Sequence, residues 1–197
     1  MFDPYFVKVT ETMRSDMRLR HEHYGDAFKN HEIEGGKGRI WGTLGELVVG
    51  SVLEGATEAL TYDFDLVWRD KTWDIKSKTR KDIPKETWDA SISASAMHQK
   101  VDNYIFVSII APASLLNEDE ETILNFPYEQ AYILGYISKD RFLERATLQI
   151  AGSVDKSNGI MYRMNTFTTP YSSLTPFRTL LNQEPKVRPK VFAKFGK

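Results

Sequence analysis

The 197-residue chain contains no cysteine. That absence excludes disulfides and thiolate metal sites, and a cytoplasmic setting is the natural expectation. Histidine is scarce, with four residues. His21 and His23 flank Glu22, but helical positions i and i+2 point apart, so zinc is not expected there. His31 lies in a polar stretch and carries no signal. No run of 18 apolar residues exists, so neither a membrane span nor a membrane partner is expected. The opening Met1-Phe2-Asp3-Pro4-Tyr5 lacks a basic start followed by an apolar core, so no secretory signal is expected. A basic excess is also missing. The net charge of −1 argues weakly against tight nonspecific binding to nucleic acid.

What is present is ordinary for a globular chain, with 41% hydrophobic and 27% charged residues. The length suits a single domain over 1–197 with a sizeable core. Charge is distributed unevenly, and that matters more than the total. From Arg69 to Lys85 there are seven basic and three acidic residues, and the tail 185–197 has five basic and none acidic.

Periodicity predicts a helix over 3–24, with Phe6, Val9, Met13 and Met17 on one face, and a second over 39–53. Between them, 23–37 reads as a polar loop. Its Gly35-Gly36-Lys37-Gly38 lacks the spacing of a phosphate cradle. A loop is expected over 80–88, and a short helix over 89–100 capped by Asp89. A central strand follows at 103–110 and a long polar connection at 111–128. The rest reads as a strand at 130–137, a helix at 138–145 capped by Ser138, a strand at 159–166 and a helix at 176–181. The order describes an α/β domain, a central mixed sheet flanked by helices.

The segment 62–78 reads as a β-hairpin. Phe64, Leu66 and Trp68 alternate with Asp63, Asp65 and Val67; Trp73 and Ile75 alternate with Thr72, Asp74, Lys76 and Lys78. Period-two alternation implies one buried face, shared by Trp68 and Trp73, and one open face. With closure near Asp70-Lys71, Asp65 lies roughly opposite Asp74, and Lys76 follows two residues on. Facing carboxylates repel unless something positive sits between them, and a hard cation such as Mg²⁺ suits that gap. The preceding helix carries Glu46 amid Leu44, Leu47, Val48 and Val49, where a carboxylate is costly without a partner.

Gly-x-x-Gly-Glu on a helix, Asp-aliphatic on one strand and Asp-x-Lys on the next resemble the PD-(D/E)xK nuclease superfamily, over about residues 38–110. The usual proline before the first aspartate is absent, and Phe64 stands there. Asp63 competes with Asp65 for that role, but Asp65 pairs better with Asp74. The resemblance implies a restriction-endonuclease-like core and a DNA nuclease, an endonuclease more than an exonuclease. Homodimers that give each strand one active site would fit. Alternatives are a structure-specific resolvase or exonuclease of the same fold, or a non-catalytic module that binds nucleic acid or protein. It further implies that Asp65 and Asp74, with the Ile75 carbonyl, hold Mg²⁺ or Mn²⁺. Glu46 would hold a second ion or orient water, and Lys76 would stabilise charge on the phosphate. Lys78, Arg80, Lys81 and Gln99 would contact DNA.

Overall fold

The computed structural model describes residues 2–24, 37–59, 61–154 and 161–182. Residues 25–36 of the expected loop, with His31 and Gly35-Gly36, residues 159–160 of the expected late strand and the basic tail 185–197 therefore lie outside the described residues. Among the described residues, no helix is long and apolar enough to cross a membrane.

The first expected helix divides in two. Tyr5–Lys8 is a strand, β1, and only Glu11–Tyr24 is helical, α1. Tyr-Phe-Val favours extended backbone, and the Thr10 hydroxyl accepts the Met13 N–H at 3.2 Å to start the helix afterwards. Helix α2, Lys37–Gly50, opens at Lys37-Gly38, which the sequence places in the loop. It buries Ile40, Trp41, Leu44, Gly45, Val48 and Val49.

Short strand β2 (Thr57–Glu58) precedes the hairpin of β3 (Leu66–Trp68) and β4 (Lys71–Arg80). The turn falls at Arg69-Asp70, one residue earlier than expected, with both residues at positive φ (52° and 59°). That geometry matches the twist of a two-residue hairpin. Trp68 and Trp73 share one face, edge to face at 6.1 Å, as their spacing predicts.

The expected helix over 89–100 is instead strand β5 (Asp89–Ser93) followed by a 3₁₀ turn over 94–96. Ala90 and Ile92 are buried while Asp89, Ser91 and Ser93 are only partly covered, which is period two, not 3.6. Strand β6 (Asn103–Ile110) is buried along nearly its whole length, as a central strand should be. The connection 111–128 contains a 3₁₀ segment and helix α3 (Glu120–Asn125), capped by Asp119, which accepts the Thr122 N–H at 2.7 Å. Strand β7 (Gln130–Ser138) and helix α4 (Lys139–Arg145) follow, with Ser138 as the cap. Strand β8 (Thr147–Gln149) went unforeseen. The late strand β9 runs over Thr166–Pro170, so that 161–165 precede it, and α5 spans Arg178–Leu181.

A mixed six-stranded sheet has the order β1-β7-β6-β4-β3-β2, with only the β4–β6 pair parallel. A second sheet has the order β5-β9-β8. One apolar cluster joins α1, α2 and α3 to Trp73, Ile75, Ile105, Val107 and Ile133. The other joins Ala90, Ile92, Tyr104, Phe106, Leu134 and Phe142. Both faces of the central strands are thus covered, so the face of β4 carrying Asp74 is not open along its length. Asp74 itself is only 3% exposed.

Gly45 sets how closely α2 approaches β4. A β-carbon there would meet Ser77 Oγ at 1.7 Å and Ser77 Cβ at 2.9 Å. An exposed helical glycine gains roughly 1 kcal/mol on becoming alanine. Here Gly45→Ala is expected to destabilise by about 1–3 kcal/mol, because the crowding outweighs the helix gain. Ser77→Gly should restore most of the loss, which denaturant unfolding of the two single variants and the double variant would measure.

Candidate active site

The site forms where β3 ends against β4. Leu66 pairs with Trp73, while the Asp65 N–H donates to the Trp73 carbonyl at 2.9 Å. Two residues of one strand therefore face one of the other, an offset of the β-bulge kind. It turns the Asp65 side chain onto β4, where Oδ2 accepts the Ile75 N–H at 2.6 Å. The Ile75 carbonyl shares that edge with its N–H, as strand geometry requires.

Asp74 projects from the next position on β4, beside Tyr104 of β6. Its Oδ2 lies 2.6 Å from Lys76 Nζ. That oxygen is buried and, among the described residues, has no hydrogen bond of acceptable geometry. Lys76 Nζ also donates to Gln99 Oε1 at 3.3 Å. Gln99 is itself buried, and its Nε2 donates to the Tyr62 carbonyl at 2.7 Å. Lys139 Nζ holds the Gln99 carbonyl at 2.5 Å. Gln99 thus ties the ammonium to the loop preceding β3.

Glu46 reaches the same region from α2. Burial, above all, raises its carboxyl from 4.5 to about 7; Arg20 opposes the rise, Glu58 and Asp74 add to it, and Lys76 opposes it. Asp65 is also held well above the ordinary aspartate range. Burial is the main cause, followed by the charges of Glu46 and Asp74, against which the Ile75 N–H and Lys76 act. The three acids therefore feel one another. Burial chiefly makes Glu46 and Asp65 bind protons too readily, and the neighbouring acid charges add to it.

This donor set fits a hard divalent cation in charge and atom type: three carboxyls, among them a buried Asp74 now paired with Lys76, and an adjacent peptide carbonyl. Among the described residues, however, no three His, Cys, Asp or Glu side chains close on one point at ligating distance. Asp74 is held by Lys76 instead.

The other expected contacts separate. Lys78 turns to the Ser91 hydroxyl of β5. Arg80 lies over the Trp88 ring at 5.6 Å, and Lys81 is exposed in the loop that follows. Neither reaches the acids by any contact seen here. Asp63 accepts the Lys100 N–H at 3.2 Å and so fastens the loop, whereas Asp65 is the aspartate coupled to Glu46 and Asp74. His21 bonds Glu120 at 2.8 Å and approaches Arg39, a contact between helices.

Sequence reasoning missed Arg20, Glu58 and Lys139. Arg20 pairs with Glu58 at 2.5 Å and acts on Glu46 from α1, a helix outside the motif. The available signal was an arginine one helical turn past Met17 on the core-facing side. Lys139 carried none, because its contact depends on how β7 folds back. No family model, curated protein or solved structure matches the chain.

Proposed function

We propose that this protein is a Mg²⁺-dependent deoxyribonuclease with a restriction-endonuclease-like core. The observation that carries the reading is that Glu46, Asp65 and Asp74 lie within range of one another's charge, with Lys76 paired to Asp74 and held by Gln99. An acid cluster with a surplus of negative charge is costly to a fold, and a cation site explains it. The Asp-x-Lys pair lies on β4 and Glu46 on α2, while Asp65 immediately precedes β3, an arrangement that supports the nuclease reading.

Asp65 and Asp74, with the Ile75 carbonyl, would hold the cation, and Glu46 would complete its surroundings. The bound ion supplies Lewis-acid activation of water and neutralises phosphate charge. Glu46, with its affinity for protons raised to about 7, can accept a proton from water near neutral pH. Lys76, fixed by Gln99 Oε1, offers its ammonium to a phosphate oxygen as charge builds there. Asp65 holds the β3 end in place through the Ile75 N–H.

The test incubates the protein with supercoiled plasmid, linear duplex and branched DNA in Mg²⁺, Mn²⁺ or EDTA. Cleavage in either metal and none in EDTA is the expected result. Nicked circles identify an endonuclease, loss of linear DNA alone an exonuclease, and preference for branches a resolvase. Binding without cleavage in any metal would replace the enzyme with a non-catalytic module.

A further inference from the structure

Arg20 brings a cation to the acid cluster from outside the motif. It lies on α1, one helical turn past the buried Met17, and its Nη2 pairs with Glu58 Oε1 at 2.5 Å. Glu58 belongs to β2, an edge strand of the six-stranded sheet. Its register partner is Leu66, which is buried in the cluster that contains α1 and α2. Partners in an antiparallel pair point to the same face. Glu58 therefore stands on the helix side of the sheet, where α2 carries Glu46. The next residue, Ala59, donates its N–H to the Asp65 carbonyl at 2.9 Å. The Arg20–Glu58 pair is thus fastened one residue away from the backbone of a site acid.

Of the charges around Glu46, that of Arg20 acts on its carboxyl most strongly, ahead of Glu58, Asp74 and Lys76. Among the described residues, however, Arg20 has its ion pair with Glu58 and none with Glu46. The pair is partly in solvent, with 29% and 56% of the two side chains exposed. An exposed ion pair adds little to stability, so folding alone does not explain it. What the pair does fix is the resting place of a permanent positive charge. A guanidinium keeps its charge at every working pH, so its effect on the acids changes only when it moves. On Glu58 it leaves the Glu46 carboxylate to a cation. On Glu46 it would put protein charge where the cation has to sit.

We infer that Arg20 is an internal counter-cation of the acid cluster, parked on Glu58, and that Glu58 thereby sets how tightly the cluster takes a divalent ion. Glu58 is then a positioning residue that acts through Arg20, not a ligand. An ion at the cluster and a guanidinium on Glu46 exclude each other by charge. This inference rests on the reading of the cluster as the cation site of a nuclease.

The test is a double-mutant cycle on ion affinity. Mg²⁺ and Mn²⁺ are titrated calorimetrically, at pH 8 and low salt, into the wild-type protein, Arg20→Gln, Glu58→Gln and the double variant. Arg20→Gln is expected to bind about tenfold tighter than wild type, and Glu58→Gln about tenfold weaker. In the Arg20→Gln background, Glu58→Gln should cost about threefold or less, because no guanidinium remains to be released. Arg20→Lys keeps the charge and should not tighten binding. Glu58→Gln alters an exposed side chain, so it gives a result even if Arg20→Gln does not fold. Equal losses from Glu58→Gln in both backgrounds would overturn the inference, since they describe two fixed charges acting independently. So would an Arg20→Gln protein that binds no tighter than wild type, or an Arg20→Lys protein that binds as tightly as Arg20→Gln. DNA cleavage is run in parallel. The predicted affinities with no cleavage of any DNA support the counter-cation and remove the nuclease reading. Cleavage with affinities indifferent to Arg20 leaves the nuclease and removes the counter-cation. No binding of either ion overturns both.

Discussion

Asp74→Asn is expected to lower Mg²⁺-dependent DNA cleavage by roughly 10³-fold or more, and Lys76→Ala by roughly 10²-fold. Asp74 contributes a buried carboxylate paired with Lys76, and its charge acts on Glu46 and Asp65, whose protons are held too tightly. Asparagine keeps the shape, removes the charge and so removes the strongest attraction for a cation. Lys76 is the ammonium at the same opening, held between Asp74 and Gln99. The stability of the two variants should move in opposite directions. Without cation, at pH 8, Asp74→Asn relieves repulsion on Glu46 and Asp65 and should raise the melting temperature. Lys76→Ala leaves Asp74 buried without its counter-charge and should lower it. Cleavage rates and melting curves on the same preparations check both signs. A loss of activity accompanied by unfolding in Asp74→Asn would point to a structural role instead.

The second large effect is on stability against pH. Glu46 has a raised proton affinity in the fold, from 4.5 to about 7. A group held above its unfolded value favours folding fully below about pH 4.5, and that advantage is lost as pH rises through about 7. The cation-free protein should therefore be more stable at pH 5 than at pH 8, by about 2 kcal/mol from Glu46, after allowing for its contact with solvent. Asp65 is shifted in the same direction and adds to the trend. Glu46→Gln should flatten the profile and be the more stable protein at pH 8. Chemical denaturation in EDTA across this range provides the measurement. A profile that rises with pH, or is unchanged by Glu46→Gln, would contradict the electrostatic account. The same reasoning explains why a fold would keep three acids together. They reduce its stability when empty-handed, a common trade between stability and activity.

The parts of the molecule visible from sequence are those whose partners lie close along the chain. The apolar face of α2, the Trp68–Trp73 face and the Ser138 cap each depend on residues a few positions apart. So do Asp65, Asp74 and Lys76, which one hairpin brings together, although the turn at Arg69-Asp70 shifts its closure by a residue. Strands β1 and β5 were read as helix because each acquires its strand character from a distant partner. Tyr5 pairs with Ile133, and Ile92 pairs with Phe167. The face of β4 expected to be open is partly covered because β5 and β9 lie elsewhere in the chain and fold onto that side. Gln99 was expected on a helix end; it follows a 3₁₀ turn instead and bonds Lys76. Arg20 needed knowledge of how α1 packs on α2, which no local pattern holds.

Calorimetric titration of Mg²⁺ into the protein at pH 8 asks whether the acid cluster is a cation site. Binding is expected with a matching rise in melting temperature, and it should vanish in Asp74→Asn. No heat of binding in the wild-type protein, or binding that Asp74→Asn leaves unchanged, would contradict it.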